Sequence, residues 1–534
     1  MRTRHLACAV ALGALASLPA SPISLPRALG QTLSIGVAAP ITALDPHFAN
    51  SSPNIGVALH LFAALTSRDA QVRTRPDLAE SWRAIGEEGW EFTLRPGLTW
   101  TDGKPLTADD VAFSLARVPN VANSPGGFQG SLIGIAGVDV LDARTLRIRT
   151  QGPAPLVPTN MGAIAVVARH AAEGATTADF NSGRAAIGAG PFRLVSYTPN
   201  DRVVLERNPA WHGAWDGRPN QWARATIRFI TTDPARTAAL LAGDVDVIDQ
   251  VASSDVARLA ASERVRLAQA TGLRLIYLVF DTRSEAGPPG LTDGQGRPLA
   301  VNPLRDQRVR QALSQAINRS AITERVMSGT ATPAGQWLPA GAFGHDPGVG
   351  TPPFDPDGAR KMLAEALPQG LRIVLYTPND RYPNDAQTAQ AIAQFWTRIG
   401  VATSVEALPW TTYGTRAARN EFGIHLTGWG SASGEASSFL INILATPSRE
   451  RRWGSANRGG HSDPVVDGLL TQGIATLDDD AREKIWQQAV RHVAGTVGVL
   501  PLHHLTNSWA TRPGLSYEAR ADERTLAHRV FSTR

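Results

Sequence analysis

Histidine, serine and an acid come together at His461-Ser462-Asp463, and two histidines adjoin at His503-His504. Either group could touch a metal ion. Adjacent residues of a strand point to opposite faces, so His503 and His504 would not readily chelate one ion, and a structural or surface role is expected for both groups. Gly430-Ser431-Ala432-Ser433-Gly434 carries alanine where a nucleophile elbow carries serine. Neither a phosphate-cradling loop nor a dinucleotide fingerprint occurs. The one cysteine, Cys8, lies in a segment expected to be removed, so the mature chain has no thiol nucleophile, thiolate metal site or disulfide. Carboxylates are many, but none stands at a spacing that demands acid–base catalysis. No catalytic constellation emerges, and binding without catalysis is the expected activity, with no cofactor.

A hexapeptide occurs twice. Tyr-Thr-Pro-Asn-Asp-Arg stands at 197–202 and again at 376–381. The flanking sequences do not repeat, which argues against duplication. Pro-Asn-Asp is favourable turn chemistry, so both copies read as turns after strands. The first is expected to close a plain hairpin. The second follows the apolar run 371–376 and should bring Arg381 out where that strand ends.

The elements that position these residues are legible in outline. Thr107 can cap a helix with Asp110 as its capping-box partner. A longer helix is expected after Pro303, with Val309, Ala312, Leu313, Ala316 and Ile317 on one face and Gly329 as its stop. Asp355-Pro356 opens another helix, and 386–399 forms one that Gly400 ends. Strands are expected at 90–94, 145–149, 202–206, 225–230, 273–280 and 371–376. Trp82 and Trp100 read as core aromatics. Helices and strands mix without strict alternation, which predicts α/β lobes with mixed sheets.

At 534 residues the chain exceeds what one core can organise, and at least two lobes are expected. Arg2 and Arg4 precede an apolar run from Leu6 to Leu18, and Ala28 and Gly30 supply the small residues that signal peptidase reads. Cleavage is expected after Gly30, giving an exported, periplasmic chain that begins at Gln31. The apolar run follows Cys8 instead of preceding it, so no lipid anchor is expected. Losing Arg2, Arg4 and Arg27 lowers the net charge from +5 to +2. Basic and acidic residues are interspersed, which suits a solvated surface and not a nucleic-acid interface.

An ordered series of motifs starts at Leu44-Asp45-Pro46. It continues with Pro76-Asp77-Leu78-Ala79-Glu80-Ser81-Trp82, Phe92-Thr93-Leu94-Arg95-Pro96-Gly97 and Asp102-Gly103-Lys104-Pro105-Leu106-Thr107-Ala108-Asp109-Asp110-Val111. Gly188-Ala189-Gly190-Pro191-Phe192, Leu205-Glu206-Arg207-Asn208-Pro209 and Arg308-Val309-Arg310-Gln311-Ala312-Leu313 follow, and Leu500-Pro501-Leu502 stands near the end. In order and extent this series resembles the ABC-importer solute-binding proteins of the dipeptide, oligopeptide and nickel family. The resemblance implies a two-lobed periplasmic-binding-protein fold of the class II type, with a smaller third domain and a hinge. It divides the chain into a signal peptide (1–30), lobe I (31–66, 186–280 and 505–534), a small domain (67–185) and lobe III (281–504).

The resemblance also implies a ligand site. Arg381 and Tyr382 fall where dipeptide binders hold the peptide carboxylate, a task that suits the bidentate guanidinium. Gly428-Trp429 match a pair that those binders follow with an ammonium-binding Asp. Here that position is Ala432, and Glu435 is the candidate substitute. Trp410, Trp429 and Gly430 are expected to line the pocket, and Leu44 is a further candidate from the early motif. The implied partners are a small peptide or peptide-like solute and the permease and ATPase subunits of an ABC importer, with the chain itself a monomer. Nickel or metallophore, glutathione, opine and sugar ligands are alternatives on the same fold. An exported hydrolase, and a sensor or chaperone, are the competing classes.

Overall fold

The computed structural model describes residues 32–533, apart from 125, 126 and 432. Cys8, Ala28, Gly30 and the expected new N-terminus Gln31 lie outside the described residues.

Lobe I is built around the strand Thr32–Val37, which pairs in parallel with Arg224–Phe229 on one edge and Val247–Ile248 on the other. Arg202–Arg207 and Phe192–Thr198 extend the sheet antiparallel. Leu33, Ile35, Val203, Leu205, Ala225 and Ile227 alternate along these strands and are buried together, as a half-covered sheet requires. The first hexapeptide copy closes the 192–207 hairpin, with Asn200 in the left-handed region (φ 60°) that asparagine tolerates.

Two long antiparallel strands, Arg266–Phe280 and Leu500–Thr511, belong to both lobes. Arg266–Thr271 pairs with Thr506–Thr511, and Thr511 and Ala510 also face Val247 and Ile248 of lobe I. Further along, Leu275 and Ile276 face His504 and His503, and the same strand pairs with Ile424–Gly430 of lobe III. Arg372–Pro378 and then Ala402–Leu408 continue that sheet in parallel. Register shifts between Thr271 and Leu275. Gly272 sits in this irregularity, where a Cβ would lie 2.9 Å from the Leu505 carbonyl oxygen. Only glycine fits there without displacement.

Regular pairing on the lobe I side of this ladder runs up to Thr271 and Thr506, and it resumes at Leu275 and His504. Arg266–Thr271, before the crossing, is mixed in polarity and at least partly exposed, whereas the strand from Leu273 onward is apolar and largely buried, so the change of lobe coincides with a change in the hydrophobic pattern.

The lobe III sheet is packed on both faces. Ile276 and Leu278 meet Val309, Leu313, Ile392 and Trp396 on one face. Leu275 and Tyr277 meet Trp486, Ala489 and Val490 of the helix Asp479–Thr496 on the other. The helix expected to run from Pro303 to Gly329 is interrupted. Gln307–Gln315 is regular, and a new turn then starts at Asn318, whose side chain accepts the Ala321 N–H at 2.8 Å. Buried Arg319 holds this corner by donating to the Ser314 and Pro501 carbonyls.

The small domain is a four-stranded antiparallel sheet covered by the helix Ala108–Arg117, which carries the Thr107/Asp110 capping box. Trp100 is fully buried there, and Trp82 stacks on Phe92 at its edge. Arg117 ends the helix by donating to both oxygens of buried Asp45, at 2.9 and 2.6 Å. The Leu44-Asp45-Pro46 motif thus clamps the small domain to lobe I. No helix among the described residues is long and apolar enough to cross a membrane.

His60 joins distant parts of lobe I. Its Nδ1–H donates to the Gly56 carbonyl at 2.8 Å, and its Nε2 accepts the Ala527 N–H at 2.9 Å, so the ring must be neutral. Burial pushes its pKa down to about 4. The same cause pushes His503 down to about 3 and His504 to about 4. In the unfolded chain these rings titrate near ~6.5. As pH falls the unfolded state takes up protons first, so the stabilisation is full above the unfolded value and is lost on the way down to the folded ones. Each ring contributes a slope of up to about 1.4 kcal/mol per pH unit in that window. The urea midpoint should therefore fall steadily from about pH 6.5 to about pH 4.5, above the range where most carboxylates titrate. A flat midpoint over that interval would contradict the neutral buried histidines.

Candidate ligand-binding cleft

Lobe I and the small domain face lobe III across a cavity of about 840 Å³. Asn50, Asn160 and Arg524 stand on the first side, and Arg274, Gly430, Glu435 and Ser437 on the second. The volume lies in the range that encloses a small organic ligand.

The Arg381 corner is shaped by acids that serve the backbone. Arg372–Pro378 ends and the helix Asp385–Arg398 begins within a few residues. Asp385 Oδ2 accepts the N–H groups of Arg381 (3.2 Å) and Tyr382 (3.1 Å), and its Oδ1 accepts that of Ala386. Asp380 Oδ1 accepts the Trp410 N–H at 2.7 Å. The guanidinium of Arg381 instead lies over the rings of Tyr382 and Trp410, at 5.1 and 5.4 Å. Among the described residues no acid stands within ion-pair distance of it.

Tyr382 is buried, and its hydroxyl donates to the Gly428 carbonyl at 3.2 Å. A Cβ on Gly428 would lie 2.9 Å from Tyr382 Cε1 and from Ile276 Cδ1, so the ring occupies the space the glycine leaves. Trp410 is 38% exposed and stacks on Tyr413. The structure thus brings Arg381, Tyr382, Trp410 and Gly428 together; none of the four lines the cavity, whose wall Gly430 joins two residues further along the strand from Gly428.

Trp429 alternates to the other face of the strand, opposite Leu275, and packs on the core there. Glu435 lines the cavity, but its carboxylate accepts Trp486 Nε1–H at 2.7 Å and Arg482 Nε–H at 3.3 Å. The expected substitute for an ammonium acceptor is already compensated by a buried guanidinium. Desolvation still raises its pKa, against the opposing pull of Arg482. Residue 432 lies outside the described residues. Leu44 is 2% exposed in the lobe I core, and its N–H donates to Asn181, so the structure does not bring it to the cleft. His461 and His503-His504 are buried or nearly so within lobe III, away from the cavity wall.

Sequence reasoning missed Arg274, Ser437 and the pair Arg451-Arg452, all on the lobe III wall. They come from three separate segments and form no local motif. Arg274 did leave a signal: it is a lone charge within the apolar strand 273–280.

Two substitutions test the Tyr382 packing. Gly428→Ala should expel the ring and destabilise the protein by roughly 1–3 kcal/mol, the usual cost of overpacking. Tyr382→Phe should lose about 1 kcal/mol, one neutral hydrogen bond. Urea unfolding of both variants measures this, and an unchanged midpoint for Gly428→Ala would refute the contact.

Residues 73–450 match the family model described as bacterial extracellular solute-binding proteins, family 5 Middle. The dipeptide-binding protein of Escherichia coli K12 is 28% identical over 445 residues, covering 78% of each chain. HbpA2 of Haemophilus parasuis superposes with a TM-score of 0.82 at 23% identity, over 94% of this chain and 100% of that one. The periplasmic murein tripeptide-binding protein MppA, in its unliganded open form, gives 0.80 at 24% identity over 95% and 98% of the two chains. A second MppA structure gives 0.65 at the same identity and a coverage of 95% and 99%. The two-lobed architecture, the strands shared between lobes and the match over most of the chain agree: the protein belongs to the bacterial extracellular solute-binding proteins of family 5.

Proposed function

We propose that this protein works outside the cytoplasmic membrane, takes up a small peptide-like solute between its lobes, and hands it to an ABC importer without altering it. The observation that carries the reading is the cavity itself. It opens between lobes joined by two strands whose pairing is irregular at Gly272, which is where a hinge would bend. The dipeptide-binding relative supports a peptide-like ligand.

Arg381 is the group we assign to the ligand carboxylate. Its guanidinium is unpaired among the described residues and already held against two aromatic rings, so little side-chain freedom is left to lose on binding. In a thermal-shift screen, short peptides with a free carboxylate should raise the midpoint by mass action and be recovered unchanged. Turnover of the bound peptide would favour a hydrolase instead. On calorimetry, Arg381→Ala should cost roughly 2–5 kcal/mol for the acid and little for the corresponding amide, with Arg381→Lys recovering part. Equal losses for acid and amide would remove Arg381 from carboxylate recognition.

Closure is tested separately. The radius of gyration from small-angle scattering should fall on saturation with the peptide that gave the largest shift, and an unchanged value would exclude a closing cleft.

A further inference from the structure

We propose that the lobe III wall of the cavity is a subsite for a second carboxylate, and that the protein's preferred ligands are acidic peptides. This rests on the peptide-binding reading above and narrows it to a substrate class.

Arg274 enters the wall just past the irregular crossing. Its guanidinium lies flat against Gly430, where an added Cβ would meet Nη2 at 3.5 Å. Arg451 and Arg452 reach the same cavity from a turn closed by the Ser448–Trp453 bridge. Trp453 is buried and anchors this turn in the lobe III core, and Arg451 lies over its ring at 4.9 Å. Among the described residues, none of the three has an acid within ion-pair distance. Arg482, Arg520 and Arg529, the buried arginines nearby, each hold an acid at 2.7 Å.

The acids of the cavity wall do not balance this charge. Glu435 is held by Arg482 and Trp486. Asp522 is held by Arg520 at 2.7 Å and Arg524 at 3.6 Å. Glu523 is the remaining carboxylate on the wall. Five arginines line the cavity against three acids; setting aside Arg68, Arg524 and the acids held by arginine, three guanidinium groups without an acid partner among the described residues face one carboxylate. Ser437 adds a second, independent observation. It is 1% exposed, it lines the same cavity, and its hydroxyl has no hydrogen-bond partner. A buried hydroxyl left this way costs free energy, and a ligand carboxylate would supply the acceptor. Forked donors and a hydroxyl on one cavity wall suit a carboxylate, and in a peptide-like ligand that group is a Glu or Asp side chain.

The experiment compares the tripeptides Glu-Ala-Ala, Ala-Glu-Ala and Ala-Ala-Glu with their Gln counterparts by calorimetry on the full mature chain. At least one Glu peptide should bind about tenfold or more tightly than its Gln counterpart, a difference of about 1.4 kcal/mol. The preference should shrink with added salt. In Arg274→Gln and in Ser437→Ala the ratio should fall towards one. Arg452→Gln, on an exposed turn, should lower the ratio without risk to the core. If Gln peptides bind and no Glu peptide gains, the acidic subsite fails while the binding function stands. A Glu preference that survives all three variants also overturns it. Inorganic phosphate matching the best Glu peptide would replace the carboxylate subsite with a general anion site. If no peptide of either set binds, the peptide-binding reading falls and takes the subsite with it.

Discussion

The antiparallel ladder between Arg266–Phe280 and Leu500–Thr511 is the constraint on which the molecule depends. Its first half completes the lobe I sheet and its second half completes that of lobe III. Each lobe therefore needs a half of the same two strands to close its own hydrogen bonds. The register shift near Gly272 divides the ladder between two regular stretches, so a twist there disturbs few backbone pairs. Both cores pack tightly against the strands on either side, which confines compliance to the crossing. The cavity opens beside this crossing because the lobes diverge from it.

Electrostatics in the cleft follows from where the acids are committed. Asp380 and Asp385 hold backbone N–H groups, which leaves the Arg381 guanidinium to the aromatic rings. Glu435 is compensated from within its own lobe. Buried Asp45 and Asp522 hold arginines that fasten segments far apart in sequence, the half-buried Arg117 of the small domain and the buried Arg520 of the C-terminal return. Buried pairs of this kind are costly to break from one side, because the partner is left as an isolated buried charge. Acids that act as fasteners are unavailable to a ligand ammonium, and the cationic side of the cleft dominates.

What the sequence made legible was local. The capping box at Thr107 and Asp110, the turn chemistry of both hexapeptide copies and the strand leading to Arg381 were written in contiguous residues. The grouping of Arg381, Tyr382, Trp410 and Gly428 comes from separate elements, and its ligand role rests on family resemblance alone. Leu44 was misplaced because a motif can be shared for clamping as well as for binding: Asp45 does the clamping and Leu44 fills core. The partners that hold Glu435, Arg482 and Trp486, lie about fifty residues further on and leave no local trace in the sequence. The helix after Pro303 was drawn too long because apolar spacing continued past Asn318, and the competing side-chain cap there outweighed it. Arg274 and Ser437 were not seen, since their grouping exists only in three dimensions.

The bond from the Ala527 N–H to His60 spans 467 residues. It has a consequence for how the chain must be made. A chain emerging N-terminus first presents the strand Val247–Ile248 long before Leu500–Thr511 exists to cover its edge. Lobe I cannot become a cooperative unit until synthesis is nearly finished, whereas most of lobe III is contiguous. Long-range pairing of this kind slows folding and prolongs the exposure of unpaired strand edges. Lobe I of the nascent protein should consequently stay open for most of its emergence, with its two distant segments meeting last.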